Sequence, residues 1–505
     1  MARSTRMMAV LASLLALLSS FTYNIAITRK IPTAGLGLLS LLNAAVAFSS
    51  LPTALISFAY PRLTARDNGL NFTAALNVST IFYLITLVLT IAYLMSVWTK
   101  MGPYAFLVLI IAILSEITSY IQAVTNSALM VKDRGRFIVT SIIQSITKFM
   151  VIPVILLLGW TIEAVLWSSF FIVFIPSLYA FIYSMRYHIN AYDTRRYFRE
   201  VISASWVPLM GYAINSFRSL DAMFIGIFGY AQLGVWYVIF ILSKPFGYSG
   251  TLINVTYGEL LEHGKLNIIY RDLLILLLIT TYVALALALF PGVYINLVRP
   301  SMRDEINLLI LPIILLALNS VLGNVNQFIS NVMQGVDKRD IEGNREIRPS
   351  VYLRSLILHT HLAELVFTAI YLSTMIPLIL LFKDLEFTYY AVIGALVSSL
   401  LANASALGFR FIRLDGLKVA LNGKALLLDY ALPSSLSIIT LVLIAHSIKF
   451  TLYPSIVISL IQVITVSLIA LVIYFGIAMA ISKNVRSLIM ILIRRILSTI
   501  TTPQP

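Results

Sequence analysis

The sequence has no cysteine, few charged residues and no long polar segment. Without cysteine, disulfides and thiolate-held metals are excluded. Charged residues are 11% of the 505, against roughly 25% in an ordinary soluble domain. That shortage excludes a water-soluble globule, because 60% of the residues are hydrophobic and could not all be hidden in soluble cores. The remaining solvent is a bilayer, and the chain reads as an all-α polytopic membrane protein. The net charge of +15 would suggest nucleic acid in a soluble protein. In a membrane protein it reflects Lys and Arg gathered in cytoplasmic loops, so no nucleic-acid partner is expected.

A spanning helix needs about 20 mostly apolar residues. Fourteen stretches qualify: 7–28, 36–60, 73–97, 103–130, 138–159, 162–185, 201–228, 233–256, 273–298, 306–334, 353–382, 389–409, 425–447 and 453–481. The opening "MARSTRMMAVLASLLALLSS" resembles a signal peptide, but its apolar run is long enough to span and reads as an uncleaved first helix. With the N-terminus cytoplasmic, alternation puts 26 of the 36 Lys and Arg inside, 7 outside and 3 within spans. One miscounted helix would scramble that bias, so it supports fourteen spans with both termini inside.

The tail "KNVRSLIMILIRRILSTITT" is amphipathic. Lys483, Arg486, Arg494 and Arg495 fall on one half of a helical wheel and Leu488, Ile489, Leu492 and Ile496 on the other. It reads as an interfacial helix beside cytoplasm or anionic lipid, with a frayed extension of the last span as the alternative. Sequons at Asn71, Asn77, Asn254 and Asn403 lie in helices or at their cytoplasmic ends and read as chance matches.

Ionisable residues inside a membrane are expensive and usually face a bundle interior or a wet cavity. Lys148 is about 15 Å along its span, near the midplane. Lys244, in "ILSKPFG", and Glu116, in "LSEITSYIQ", are equally central, and Arg218 and Asp221 share the seventh span. Glu364 lies somewhat inside the eleventh span, beyond His359 and His361. Each has a plainer reading. Arg218 and Asp221, three apart, share a helical face and can neutralise each other. Lys244 can anchor a kink at Pro245. Lys148 can snorkel, and Glu116 can be a protonated hydrogen-bonding group. His359 and His361, two apart, point to different helical faces and make a poor shared metal site. Deep cations in three helices, with Arg29 at the outer end of the first, suit an anionic substrate such as a phosphate or pyrophosphate.

The stretches 27–69 and 216–246 share a layout: a helix end, a short turn, then Leu36-Gly37 or Leu233-Gly234 opening the next helix. This is the pattern of an internal repeat of six-helix halves. Asp221, Ile225-Gly226, Leu233-Gly234 and Tyr237, with "NSALMVKDRGRF" and "LFPGVYINLVRPSMRDEINLLILPIILLALNSVLGNVNQFISNVMQGVDK", resemble the polysaccharide-transport branch of the MOP superfamily, which flips lipid-linked oligosaccharides. The resemblance covers essentially the whole chain. It implies two lobes, 1–200 and 201–412, forming a V around a cavity that opens alternately to each face. Two further helices lie in 413–482, and the amphipathic tail in 483–505. It further implies a plasma-membrane flippase whose Arg218, Lys148, Lys244 and Arg29 bind the phosphates of a polyprenyl-linked glycan. Glu116 and Asp221 are then candidates for ion coupling. Membrane lipids and glycan-assembly enzymes are the implied partners, with neither cofactor nor bound metal.

Two other readings remain open. A cation-coupled drug antiporter needs free cavity carboxylates, and Arg218 beside Asp221 argues against it. A membrane glycosyltransferase needs carboxylates to hold a metal and nucleotide-sugar, usually in a sizeable loop. The acids of loop 335–352 are interleaved with basic residues, and no soluble domain accompanies them. The alternation makes a direct prediction in this cysteine-free chain. A single cysteine at Lys100 or Lys383 should react with an impermeant thiol reagent on intact cells. One at Arg195 or Lys424 should react only after permeabilisation, and the opposite pattern overturns the orientation.

Overall fold

The computed structural model describes residues 22–50, 72–187, 220–248, 266–337, 355–414, 422–448 and 450–490, with individual residues between them. Among the described residues there is no strand. The helices are α1 Thr33–Ser49, α2 Phe72–Ser96, α3 Ala105–Lys132, α4 Arg134–Leu157, α5 Ile162–Ser184, α6 Leu220–Ile227, α7 Tyr230–Leu242, α8 Asn267–Leu289, α9 Pro291–Val298, α10 Ile306–Val336, α11 Leu356–Asp384, α12 Tyr390–Ile412, α13 Gly423–Ser447 and α14 Ile456–Ile481. Among the described residues, ten helical stretches are long and apolar enough to cross a bilayer. The expected spans 7–28, 36–60, 201–228 and 233–256 lie partly outside the described residues; helical residues 22–30, α1, α6 and α7 are their main described parts.

Local chemistry sets the boundaries. Asp133 ends α3 and caps α4, accepting from the Arg136 backbone N–H at 3.1 Å while pairing with the Arg136 side chain at 3.0 Å. The tight turn between α4 and α5 uses positive φ at Gly159 (76°) and Trp160 (58°), and Thr161 then caps α5 through Ala164 N–H at 3.2 Å. Ser355 caps α11 in the same way at 3.0 Å. The expected ninth span, 273–298, is not one continuous helix. It breaks at Phe290 (φ −123°, ψ 47°), because Pro291 has no N–H to continue the ladder and instead opens α9. The eighth span breaks as well: α7 ends at Leu242, and Lys244–Tyr248 winds into a 3₁₀ turn containing Pro245.

The chain forms two compact units, Met1–Val238 with Arg339–Ser398, and Ile239–Lys338 with Ser399–Pro505. In the first, α3 packs against α1, α2, α4 and α5, and Phe72, Val78, Tyr120 and Val124 are buried in one cluster. The outer face of α2 instead exposes Leu84, Ile85 and Val88. In the second unit, α8 packs along α10 and meets α13 and α14. The α14 span has a mean hydropathy of 2.8 with only 17% of its most apolar window buried in protein. Exposed carbon on this scale is stable only in hydrocarbon. Asp429, in a π-helical turn of α13, accepts from Ser482 (2.6 Å), Asn484 (2.7 Å) and Tyr270, fixing the break after α14. Of the expected amphipathic tail, residues 483–490 are described as helix: Val485 is buried, and Lys483 and Arg486 are exposed.

The repeat glycines meet. A Cβ on Gly37 would lie 2.7 Å from the Tyr230 carbonyl oxygen, and one on Gly234 would lie 2.1 Å from that of Thr33. Thr33 and Tyr230, like Gly37 and Gly234, are 197 residues apart, so the contact is reciprocal between the two stretches that share the Leu-Gly layout. Only glycine allows such backbone approach. Around it, Tyr230 hydroxyl donates to Val97 O (3.4 Å) and Gln232 Nε2 donates to Thr388 O (2.8 Å). Four turns that alternation assigns to one side of the membrane therefore come together. Gly37→Ala and Gly234→Ala should therefore each lower the midpoint of thermal unfolding in detergent, because the added Cβ meets a backbone carbonyl oxygen that cannot swing aside. Midpoints unchanged in both variants contradict the contact.

Candidate functional site

The charges of the seventh span do not neutralise each other. Glu364, Thr368 and Tyr371 follow i, i+4, i+7 spacing and therefore share one face of α11. Arg218, just ahead of α6, forms an ion pair with Glu364, donates from Nε to Thr368 Oγ1 at 3.4 Å, and lies 3.8 Å from the Phe367 ring centroid. Asp221 Oδ2 accepts from the Tyr371 hydroxyl at 3.1 Å. Each charge is thus satisfied by α11 instead of by its neighbour in sequence. The Arg218 and Glu364 side chains remain 29% and 22% exposed, so the pair is not sealed from ligand.

Side-chain hydrogen bonds at Ser20, Tyr23 and Asn24 tie the first span to its neighbours. Lys148 Nζ donates to Ser20 Oγ at 2.8 Å, Tyr23 hydroxyl bonds Ser168 Oγ at 2.8 Å, and Tyr237 hydroxyl donates to Asn24 Oδ1 at 3.3 Å. Lys148 therefore reaches from α4 to the first span, as Arg218 links the seventh span to α11. In the expected two-repeat layout those would be corresponding seams, first span with fifth and seventh with eleventh. Arg29 is half-buried near the end of helical residues 22–30. Lys244 is exposed at the 3₁₀ turn, its Nζ 4.6 Å from the Phe240 ring centroid, within the second unit.

Glu116 is fully buried on α3. Thr86 and Thr90, one turn apart on α2, hold its two oxygens, Thr86 to Oε1 at 2.6 Å and Thr90 to Oε2. Tyr120 hydroxyl lies 2.9 Å from Thr86 Oγ1 and donates to the Ser49 carbonyl at 3.1 Å.

A further polar cluster escaped the reading of the sequence. Arg410, counted among the flanking cytoplasmic cations, is 1% exposed and donates to Asn326 Oδ1. Asn326 Nδ2 donates to Asn403 O (2.8 Å) and Oδ1 (3.1 Å), and Asn403 Nδ2 donates to Asn319 Oδ1 (3.3 Å). Asn319 and Asn326 are seven apart on α10, as Asn403 and Arg410 are on α12. That spacing was the available signal. The Asn403 amide is consumed in this network, which accords with its sequon being a chance match.

No family profile and no curated protein sequence matches the chain. Solved structures do. A lipid II flippase, MurJ, in an inward-closed conformation aligns with a TM-score of 0.68 over 93% of this chain and 99% of its own, at 12% identity. An inward-facing multidrug-resistance MATE transporter of the MOP superfamily aligns with a TM-score of 0.57 over 81% of this chain and 99% of its own, at 16% identity.

The α11 seam makes a stability prediction. Arg218→Met leaves Glu364 without its cation and should cost about 1–3 kcal/mol, read from thermal unfolding in detergent. Adding Glu364→Gln should recover most of the loss, whereas adding Asp221→Asn should not. Recovery by the Asp221 change instead would mean that the sequence neighbours pair after all. At this level of identity the alignments establish the fold alone: the chain has the all-helical fold shared by this flippase and this MOP-superfamily transporter.

Proposed function

We propose that the protein is a flippase carrying a polyprenyl-(di)phosphate-linked oligosaccharide from the cytoplasmic to the outer leaflet by alternating access. The observation that carries this reading is the placement of Lys148 and Arg218 at what would be corresponding seams of the two expected repeats, each held partly by a hydroxyl, Ser20 or Thr368. A hydroxyl holds an ammonium or guanidinium loosely enough for a phosphate oxygen to join it with stronger, charge-assisted hydrogen bonds. The sugar would occupy polar space beside the cations, and the isoprenoid would stay in the surrounding hydrocarbon. Arg29 would contribute at the outer end, and Lys244, in the second unit, is a separate candidate.

The organisation we propose is two six-helix lobes, 1–200 and 201–412, with 413–482 flanking them in the plasma membrane and both termini cytoplasmic. The reciprocal Gly37 and Gly234 contact fits a conformation closed on the outer side. Glycan-assembly enzymes on the cytoplasmic face would supply the substrate. Cation-coupled drug efflux is the competing reading, and the buried Glu116 is the feature that favours it.

The test is reconstitution in liposomes with a fluorescent polyprenyl-diphosphate oligosaccharide. Wild type should move the label between leaflets. Lys148→Ala and Arg218→Ala should each slow it on the order of tenfold or more while inserting normally, as expected for losing a charged contact. Cation-driven efflux of organic dyes with no glycan movement contradicts the proposal.

A further inference from the structure

A carboxamide inside a membrane bundle is ordinarily answered by another side chain or by backbone, because hydrocarbon offers it nothing. Three in the first unit are not answered in this way. Gln122 and Asn126 on α3 and Gln144 on α4 are half-buried, and among the described residues their side chains make no hydrogen bond. Asn126 Oδ1 is buried outright. Amides left so within spanning helices face space that holds water or a polar ligand.

Their positions are in register. Helices α3 and α4 turn back on each other at Asp133, so residues equally far from it in sequence lie at like depth. Gln122 and Gln144 are each eleven residues from Asp133, about 16 Å along their helices. Asn126 and Ser141, seven and eight residues away, form a rung nearer the turn. Ser119 and Lys148, fourteen and fifteen away, form a deeper one. On each helix the polar row points away from lipid. Ser119, Gln122 and Asn126 fall within about 60° on a helical wheel, opposite the exposed Phe106 and Ile117. Ser141, Gln144 and Lys148 do the same opposite the exposed Ile146, Met150 and Leu157. Lys148 marks that side of α4 as interior, because its Nζ reaches Ser20 of the first span at 2.8 Å.

The chemistry of the two rows is graded. The deep rung carries a cation, and the rungs between it and the turn carry only amides and hydroxyls. Each amide offers two donors and an acceptor, which suits the neighbouring hydroxyls of a sugar ring. A carboxylate there would meet no cation in the rows, and Arg136, beyond them at the turn, is already paired with Asp133. We propose that Gln122, Asn126 and Gln144, with Ser141, form a seat for uncharged sugars, placed so that the first sugars of a lipid-linked glycan lie on it while Lys148 takes the phosphate. The phosphate half rests on the flippase reading above; the sugar seat itself does not.

Two measurements separate the halves. With the full chain in nanodiscs, saturation-transfer NMR should show magnetisation passing to neutral disaccharides and little passing to disaccharides that carry a uronic acid. The double variant Gln122→Leu, Gln144→Leu should lose the signal while its thermal midpoint stays at or above that of wild type, because these amides bond nothing in the described protein. In native mass spectrometry, wild type should retain a polyprenyl diphosphate bearing a neutral disaccharide about three- to tenfold better than the bare polyprenyl diphosphate, as expected for one or two neutral hydrogen bonds. The double variant should hold the two equally and the bare lipid as well as wild type does. Transfer to neutral sugars without any preference for polyprenyl diphosphate over polyprenol upholds the seat and overturns the flippase reading. No transfer in wild type, equal transfer to the uronic acids, a signal that survives in the double variant, or a midpoint lowered by the substitutions overturns the proposal.

Discussion

In hydrocarbon there is no water to satisfy a polar group, so each must be answered from within the protein. That constraint organises this chain. It makes every described element a helix, whose backbone bonds are internal. It also governs where the few charges can sit. Arg218 finds Glu364, Lys148 finds Ser20, Glu116 finds two threonines, and Arg410 finds Asn326. The bonds between α11 and the seventh span, and between α4 and the first, are side-chain bonds spanning more than a hundred residues of sequence. The helices that these bonds join carry Arg29, Lys148 and Arg218, three of the cations proposed to meet substrate.

Much of the helical architecture was legible because apolar length is a one-dimensional signal. The sixth expected span, 162–185, and helix α5, Ile162–Ser184, agree to one residue, since Thr161 and the Gly159–Trp160 turn fix its start. The break at Phe290 was less visible, because Pro291 sits in a continuous apolar run and hydropathy is blind to a missing N–H. The shared layout of Leu36-Gly37 and Leu233-Gly234 was legible. That those glycines touch each other's neighbouring backbone was not, because a contact across 197 residues leaves no local trace.

Depth in a span identified which side chains needed an explanation but not which partner supplied it. Arg218 and Asp221 are neighbours on one helix, and proximity in sequence favoured a mutual pair. The face of α11 competes with that pair and wins, because Glu364, Thr368 and Tyr371 present a charge and two hydroxyls in register with both. The burial of Arg410 was hidden for the converse reason. A cation within the last turn of a helix satisfies the rule for cytoplasmic flanks whether it faces water or a buried asparagine network.

The central claim is that membrane-embedded cations recognise the phosphate of a lipid carrier. Native mass spectrometry of the purified protein, offered equal amounts of a polyprenyl diphosphate and the matching uncharged polyprenol, tests it most directly. The account predicts preferential retention of the diphosphate, with the preference lost in Lys148→Ala and Arg218→Ala. Equal retention of the two lipids, or a preference for the diphosphate that survives both substitutions, would contradict it.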